Sequence, residues 1–146
     1  MNADSFTEKT GKVLSGAVQI ASQNGNAQTL PAHIALALIQ DDSKLAVNVI
    51  SKAGGSSQNA AQSLLAYVKK LPTQTPAPTN VPLSQSAYDV LKAAEKSQKD
   101  QGDSFVAIDH LLLGVLSVEC IQLLLQHVDT FVKDAAAATA TAAICC

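Results

Sequence analysis

The sequence predicts an all-α fold built from two similar halves, and three observations support this prediction. Apolar residues make up 47% of the chain and aromatic residues only 3%, so alanine and leucine must fill the core, which favours helices over strands. Apolar positions recur at helical spacing in segments that turn residues separate. The pattern that begins at Gly25 begins again at Gly102, which indicates an internal repeat.

The repeat keeps one offset of 77 positions without a gap. Four matched pairs carry it: Leu14 with Leu91, Gly25 with Gly102, His33 with His110, and Leu36 with Leu113. Each copy is too small to cover its own apolar face. We therefore expect the two copies to pack on each other and to leave a seam between them.

The first two helices of copy one are marked by capping and turn signals. Ser5 and Glu8 have the spacing of a capping box, so the first helix is expected to begin there. It is expected to end at Asn24 to Asn26, because Gly and Asn accept positive φ. Pro31 suits the first turn of a second helix.

Two shorter helices are expected to complete copy one, which then spans about residues 5–70. Leu45 to Ala53 has the pattern of a third helix, and Gly54 and Gly55 end it. Ser56 or Ser57 is expected to cap the fourth helix.

A proline-rich linker follows at Leu71 to Pro82, with the sequence LPTQTPAPTNVP. Its four prolines exclude a helix and favour extended backbone. The segment is too short to separate independent domains, so we interpret it as a spacer between halves that pack together. The alternative is a ligand for a proline-reading module.

Copy two, about residues 83–128, repeats the pattern. Ser84 or Ser86 is expected to open a helix that ends at Gln101 to Asp103. Ile108 to Leu116 form the next helix, and Ile121 to His127 form another short one. The alanine-rich tail at 129–146 is not amphipathic like its counterpart in copy one, so we expect a poorly specified helix there.

Composition excludes several classes of function. The formal net charge of −2 and the lack of a basic patch argue against nucleic-acid binding. No run of about 18 apolar residues predicts a membrane span, and the first residues lack the pattern of a signal peptide. Three cysteines, two of them adjacent at the end of the chain, do not suit a disulfide framework. A cytoplasmic location is expected.

No catalytic, metal or nucleotide motif is evident. The chain has no G-x-x-x-x-G-K-[ST] sequence for a nucleotide. His33 and His110 lie at matched positions, but zinc needs about four ligands and no cysteine or carboxylate cluster accompanies them. Half-buried structural histidines are the better interpretation. The Asp109–His110 pair lacks a nucleophile motif, so we expect neither an enzyme nor a cofactor or metal in this chain.

Phe6 to Ile39 and Lys70 to Leu116 resemble the double repeat of the N-terminal domain of Clp chaperones, and the similarity is closest to ClpB-type heat-shock disaggregases. The resemblance implies one domain over residues 1–146: a pseudo-two-fold bundle of about eight helices, made of two four-helix Clp repeats. It also implies a longer parent protein, a homohexameric AAA+ ring that uses ATP.

The same resemblance implies a function in binding. Its partners would be unfolded or aggregated polypeptides, whose exposed hydrophobic segments the domain recognises and passes to the ring. An alternative is an adaptor-docking or scaffold module, which would bind one folded partner. An enzyme is a third class that no residue pattern supports.

The resemblance places the client-binding surface at the start of the first helix and on the first two helices of copy two. The matching residues are Thr7, Leu91, Asp103, Phe105 and Asp109. Each has a structural alternative: Leu91 lies on a core stripe, Phe105 would fill the space between copies, and the other three have the chemistry of helix caps or first-turn residues.

Overall fold

A computed structural model describes residues 3–118, which form an all-helical bundle. A short 3-10 turn at Ala3–Ser5 precedes the six α-helices of this part of the chain. They are α1 Glu8–Gln23, α2 Pro31–Gln40, α3 Leu45–Lys52, α4 Ser57–Lys69, α5 Gln85–Gln101 and α6 Ile108–Leu116. The all-α prediction is therefore confirmed; the helix predicted at Ile121 to His127 and the alanine-rich tail lie outside the described residues.

Most predicted helix boundaries are confirmed, and one is wrong. Pro31 begins α2, Ser56 caps α4, and Ser84 caps α5 through its hydroxyl. The predicted helix start at Ser5 is wrong, because Thr7 is the N-cap residue of α1. The backbone at Ser5 and Thr7 instead pairs with Val106, Thr7 is extended, and the helix begins only at Glu8.

The two copies meet through backbone pairing that the repeat duplicates. Near one end of the interface, Val106 N donates to Ser5 O at 2.8 Å and Thr7 N donates to Val106 O at 3.1 Å. At the other end, the residues 77 positions away repeat the pattern: Thr29 N donates to Pro82 O at 2.8 Å, and Ser84 N donates to Thr29 O at 3.0 Å. The copies are thus related by a pseudo-two-fold axis, and these contacts define the predicted seam.

Helix α2 lies at the centre of the bundle, where it contacts each of the other five helices. Every residue from Pro31 to Leu38 is buried, which explains why this helix is apolar on all sides. Leu64 and Val68 of α4 and Leu111 of α6 are among the largest fully buried side chains of the bundle. The core is therefore shared by both copies, and neither copy buries its apolar face alone.

The proline-rich linker is extended and lies against copy one. Gln74 N donates to Gly25 O at 2.7 Å, and Ser22 Oγ donates to Pro78 O at 2.8 Å. Asn26 forms a backbone bridge to Thr73. The linker therefore covers the loop between α1 and α2 before it crosses to copy two.

Candidate functional site

Four of the five predicted site residues come together where Ser5 to Thr7 pairs with Val106. We call this the Phe105 end of the seam: Thr7 at the start of α1, and residues 103–109 between α5 and α6. The residues 77 positions away form the Gln28 end: Ser84 and residues 26–32. The two ends share their backbone pairing and differ in their side chains.

Thr7 fixes the start of α1 against copy two. Its Oγ1 accepts from Thr10 N at 3.2 Å, as an N-cap does. The hydroxyls of Thr7 and Thr10 lie 2.8 Å apart, and Thr10 Oγ1 also donates to Val106 O at 2.9 Å. Thr7 is the N-cap residue of α1, and its bonds to Thr10 and Val106 fix the backbone of the Phe105 end.

Phe105 projects from the same loop, and its side chain is not the plug between copies that one interpretation expected. It is 54% exposed, whereas Val106 next to it is fully buried. Val106 is held through both its N–H and its C=O group. The aromatic ring of the neighbouring Phe105 therefore projects from a rigid segment.

Two carboxylates and a buried histidine lie beside Phe105. Asp103 Oδ2 is 3.0 Å from His110 Nε2, and Asp109 Oδ1 is 3.7 Å from His110 Nδ1. Both aspartates are about half exposed, and His110 is buried. Neither aspartate caps α6: Ala107 is the N-cap residue, and His110 Nδ1 accepts from Ala107 N at 3.0 Å.

His110 bonds to the backbone of the loop before α6 through Nδ1. With Nδ1 accepting, a neutral ring carries its proton on Nε2, which faces Asp103. The contact is short but not aligned as a hydrogen bond, so Nε2 lacks a hydrogen-bond partner. The exposed carboxylate of Asp103 thus lies directly above a buried polar nitrogen.

Leu91 is not part of this surface. It is 3% exposed and belongs to the hydrophobic core on α5. Leu91 is buried because it lies on the apolar stripe of α5 that faces the core, so the core-packing interpretation is the correct one. A side chain so deeply buried cannot contact a ligand at the surface.

The matched histidine of copy one has a different partner, which sequence reasoning missed. His33 Nδ1 accepts from Leu30 N at 2.8 Å, and Nε2 lies 3.0 Å from Asn26 Oδ1. Burial lowers the pKa of His33 to about 4. Asn26 and Asp103 are 77 positions apart, so aligning the two copies around the histidines would have revealed both pairs.

This arrangement can bind but has no evident catalytic chemistry. An exposed aromatic ring offers apolar contact, and the carboxylates of Asp103 and Asp109 accept hydrogen bonds from a ligand. Within residues 3–118, no group of three or more His, Cys, Asp or Glu side chains is placed to hold a metal ion. In the same part of the chain, no helix has both the length and the hydropathy needed to cross a bilayer.

The fold and the pairing of the two copies define a helical double-repeat domain. Comparisons with known proteins specify the family. A family model described as the Clp repeat (R) N-terminal domain matches residues 5–127, and the chain belongs to this family.

Relatives of known name agree with this assignment. The chain is 39% identical over 111 residues to heat shock protein 104 of Schizosaccharomyces pombe, which covers 73% of this chain and 12% of that protein. It is 35% identical over 115 residues to chaperone protein ClpB of Rhizobium meliloti, covering 79% of this chain and 13% of that protein. The chain therefore spans only a small part of the length of these chaperones.

A solved structure confirms the fold. The crystal structure of the Hsp104 N-terminal domain from Candida albicans matches with a TM-score of 0.77 and 30% sequence identity. The match covers 90% of this chain and 89% of that chain. The predicted resemblance to the N-terminal domain of ClpB-type chaperones is thus confirmed.

Proposed function

We propose that this domain recognises exposed hydrophobic segments of unfolded or aggregated polypeptides at the Phe105 end of the seam. One observation carries the proposal: two ends that share their backbone have different surfaces. Phe105 is 54% exposed between two half-exposed carboxylates. Its counterpart is the polar residue Gln28, and the counterparts of Asp103 and Asp109 are Asn26 and Ala32, both buried.

The chemistry of this end suits an extended, loosely defined ligand. An exposed apolar group bounded by polar groups is typical of surfaces that bind peptides. The aromatic ring accepts many apolar side chains, while Asp103 and Asp109 accept hydrogen bonds from backbone amides in any sequence. Such a site binds many clients weakly rather than one client tightly.

The proposal assigns the remaining steps to a longer protein. In it, several copies of this domain around a homohexameric ring supply avidity for weakly bound clients. The ring uses ATP to thread the client, in the cytoplasm. This chain contributes binding alone and needs no cofactor for it.

A binding assay with a matched control tests the proposal. A fluorescently labelled, permanently unfolded protein is titrated with the domain, and anisotropy is measured for wild type, Phe105→Ala and Gln28→Ala. Removing the aromatic ring is expected to weaken binding about fivefold, which corresponds to about 1 kcal/mol. The Gln28→Ala variant should bind like wild type. Equal affinities for all three proteins would contradict the proposal.

Docking of a folded adaptor is the second candidate, because Asp103 and Asp109 give the Phe105 end a charged rim. An adaptor would bind with fixed stoichiometry through charge complementarity. Binding of one folded partner that an excess of unfolded protein does not displace would favour this candidate over client recognition.

A further inference from the structure

A concave surface lies on copy one, between α1 and the C-terminal end of α2. Its volume is about 380 Å³. It is lined by residues of α1 between Lys12 and Gln23, and by residues of α2 and the following turn between Ala37 and Asp42. We call it the α1–α2 groove. It contains no residue of the Phe105 end, so it is a separate candidate for binding.

Small residues keep the middle of this groove open. Gly16 faces Ala37, and a Cβ atom added at Gly16 would lie 3.8 Å from Ala37 Cβ, which is ordinary contact. A glycine inside a helix costs about 1 kcal/mol relative to alanine, and neither a positive φ nor a close backbone neighbour requires one here. The missing side chain leaves space above Val13 and Ala37, which are buried in the floor.

One end of the groove carries more negative than positive charge. Lys12 Nζ pairs with Glu8 Oε1 at 2.8 Å, and Glu8 and, more weakly, Asp42 raise the pKa of the Lys12 ammonium group. Asp41 Oδ2 accepts from Ser43 N at 3.0 Å, which holds this carboxylate at the end of α2. Asp42 is exposed beside it. The charged residues that line the groove, Lys12, Asp41 and Asp42, together have a net charge of −1.

From this complementarity we propose that the α1–α2 groove binds a short segment of a partner polypeptide in which aliphatic side chains are followed by lysine or arginine. The aliphatic side chains lie over Gly16 between Val13 and Ile20. The cation pairs with Asp41 and Asp42, and the amides of Gln19 and Gln40 bond to the segment's backbone. Helix α1 lines the groove from Lys12 to Gln23, about 16 Å at 1.5 Å per residue, which suits a segment of about five residues.

Three blocked hexapeptides test the proposal by amide NMR on the whole chain. They share two leucines, which are followed by two lysines, two glutamines or two glutamates. The dilysine peptide is expected to shift amides of residues 12–23 and 37–42 and to bind at least about fivefold more tightly than the diglutamine peptide. The diglutamate peptide should not bind. Raising the salt concentration should weaken the dilysine complex.

Two variants and one matched control show where the peptide lies. Gly16→Gln fills the groove and should reduce affinity about tenfold, and Asp42→Asn should reduce it about threefold. Ala93→Gln, at the equivalent position of copy two, should leave affinity unchanged. Peptide-induced shifts confined to residues 103–109, equal affinity for all three peptides, or an unaltered affinity in Gly16→Gln would overturn the proposal. None of these outcomes alters the unfolded-protein assay of Phe105→Ala, so the two proposals fail separately.

Discussion

The loops Gly25 to Thr29 and Gly102 to Val106 have the same backbone design but different surroundings. Both begin with a glycine at positive φ, 69° and 76°, and both end in a residue that pairs across the seam. The linker lies on the first loop, where a Cβ added at Gly25 would be 3.1 Å from Gln74 O. The same atom at Gly102 would meet nothing within 4 Å.

This difference leaves only one of the two equivalent ends uncovered by the linker, and this is the end at which we propose that clients bind. The linker pairs with the first loop and buries Asn26, so that end is structural. The second loop keeps its surface exposed, and its side chains are an aromatic ring and two carboxylates. Variants in the two copies therefore test this difference, and the turn glycines and helix caps among them lie 77 positions apart.

The largest difference in stability is expected between variants at Gly114, where α6 packs on α5, and at Gly16, where α1 packs on α2. A Cβ atom at Gly114 would lie 2.5 Å from Val90 O, so α6 would have to move away from α5. Gly114→Ala should lower the free energy of unfolding by about 3 kcal/mol. Gly16→Ala should raise it by about 0.5–1 kcal/mol, because alanine is the better helix former. Urea denaturation measures both, and a similar cost at both positions would show that copy two is not the more tightly packed.

The buried histidine of copy one predicts a loss of stability in acid. Its pKa is about 4 in the folded state and about 6.5 when unfolded, so the unfolded state binds the proton first. The contribution of neutral His33 to the free energy of unfolding is complete above pH 6.5. It decreases as the pH falls toward 4, by at most about 3 kcal/mol. His33→Gln keeps an acceptor for Leu30 N, as in a capping box.

The test compares the free energy of unfolding of wild type and His33→Gln between pH 7 and pH 4. The difference between them should change with pH in favour of the variant at low pH. Parallel curves would mean that His33 is not the group responsible.

The linker that lies on the loop Gly25 to Thr29 is expected to cause a smaller difference in stability between the copies. Both Gly25→Ala and Gly102→Ala force alanine into a positive φ, at about 1 kcal/mol each. Gly25→Ala should cost about 1 kcal/mol more, because the added Cβ crowds Gln74 O. Thermal unfolding of the two variants measures this, and equal costs would argue that the linker does not rest on the loop in solution.

Removing the N-cap side chain is expected to lower the free energy of unfolding by the same amount in both copies. Thr7 and Ser84 accept from the third residue of their helices, at 3.2 and 3.1 Å. Replacing either with alanine should cost about 1 kcal/mol. A much larger cost at Thr7 would indicate that its hydroxyl contact with Thr10 stabilises the seam as well. Chemical denaturation of the two variants provides the comparison.

The sequence predicted the elements better than it predicted the surfaces. The constant offset, Pro31, the cap residues and the turn glycines act within a few residues, so the helices and the double repeat could be predicted. The start of α1 could not, because Ser5 and Thr7 are paired with Val106, about 100 residues away in the chain. Helical spacing placed Leu91 on a core stripe, and the structure agrees.

The details of the site depend on contacts that no local pattern contains. Phe105 is exposed because its neighbour Val106 is the residue that pairs across the seam. Asp103 and Asp109 looked like caps, yet His110 accepts from Ala107 N in their place. The α1–α2 groove arises from two helices whose small residues, Gly16 and Ala37, face each other, and a single helix pattern does not reveal such a space.

The most direct test of the central claim is to locate a bound client on the two ends of the seam. An unfolded polypeptide that carries a nitroxide spin label is added to the isotopically labelled domain, and paramagnetic broadening of amide signals is recorded. The account predicts broadening centred on residues 103–109 and on Thr7, with residues 26–32 and Ser84 unaffected. Equal broadening at both ends, or broadening centred on Gln28, would contradict it.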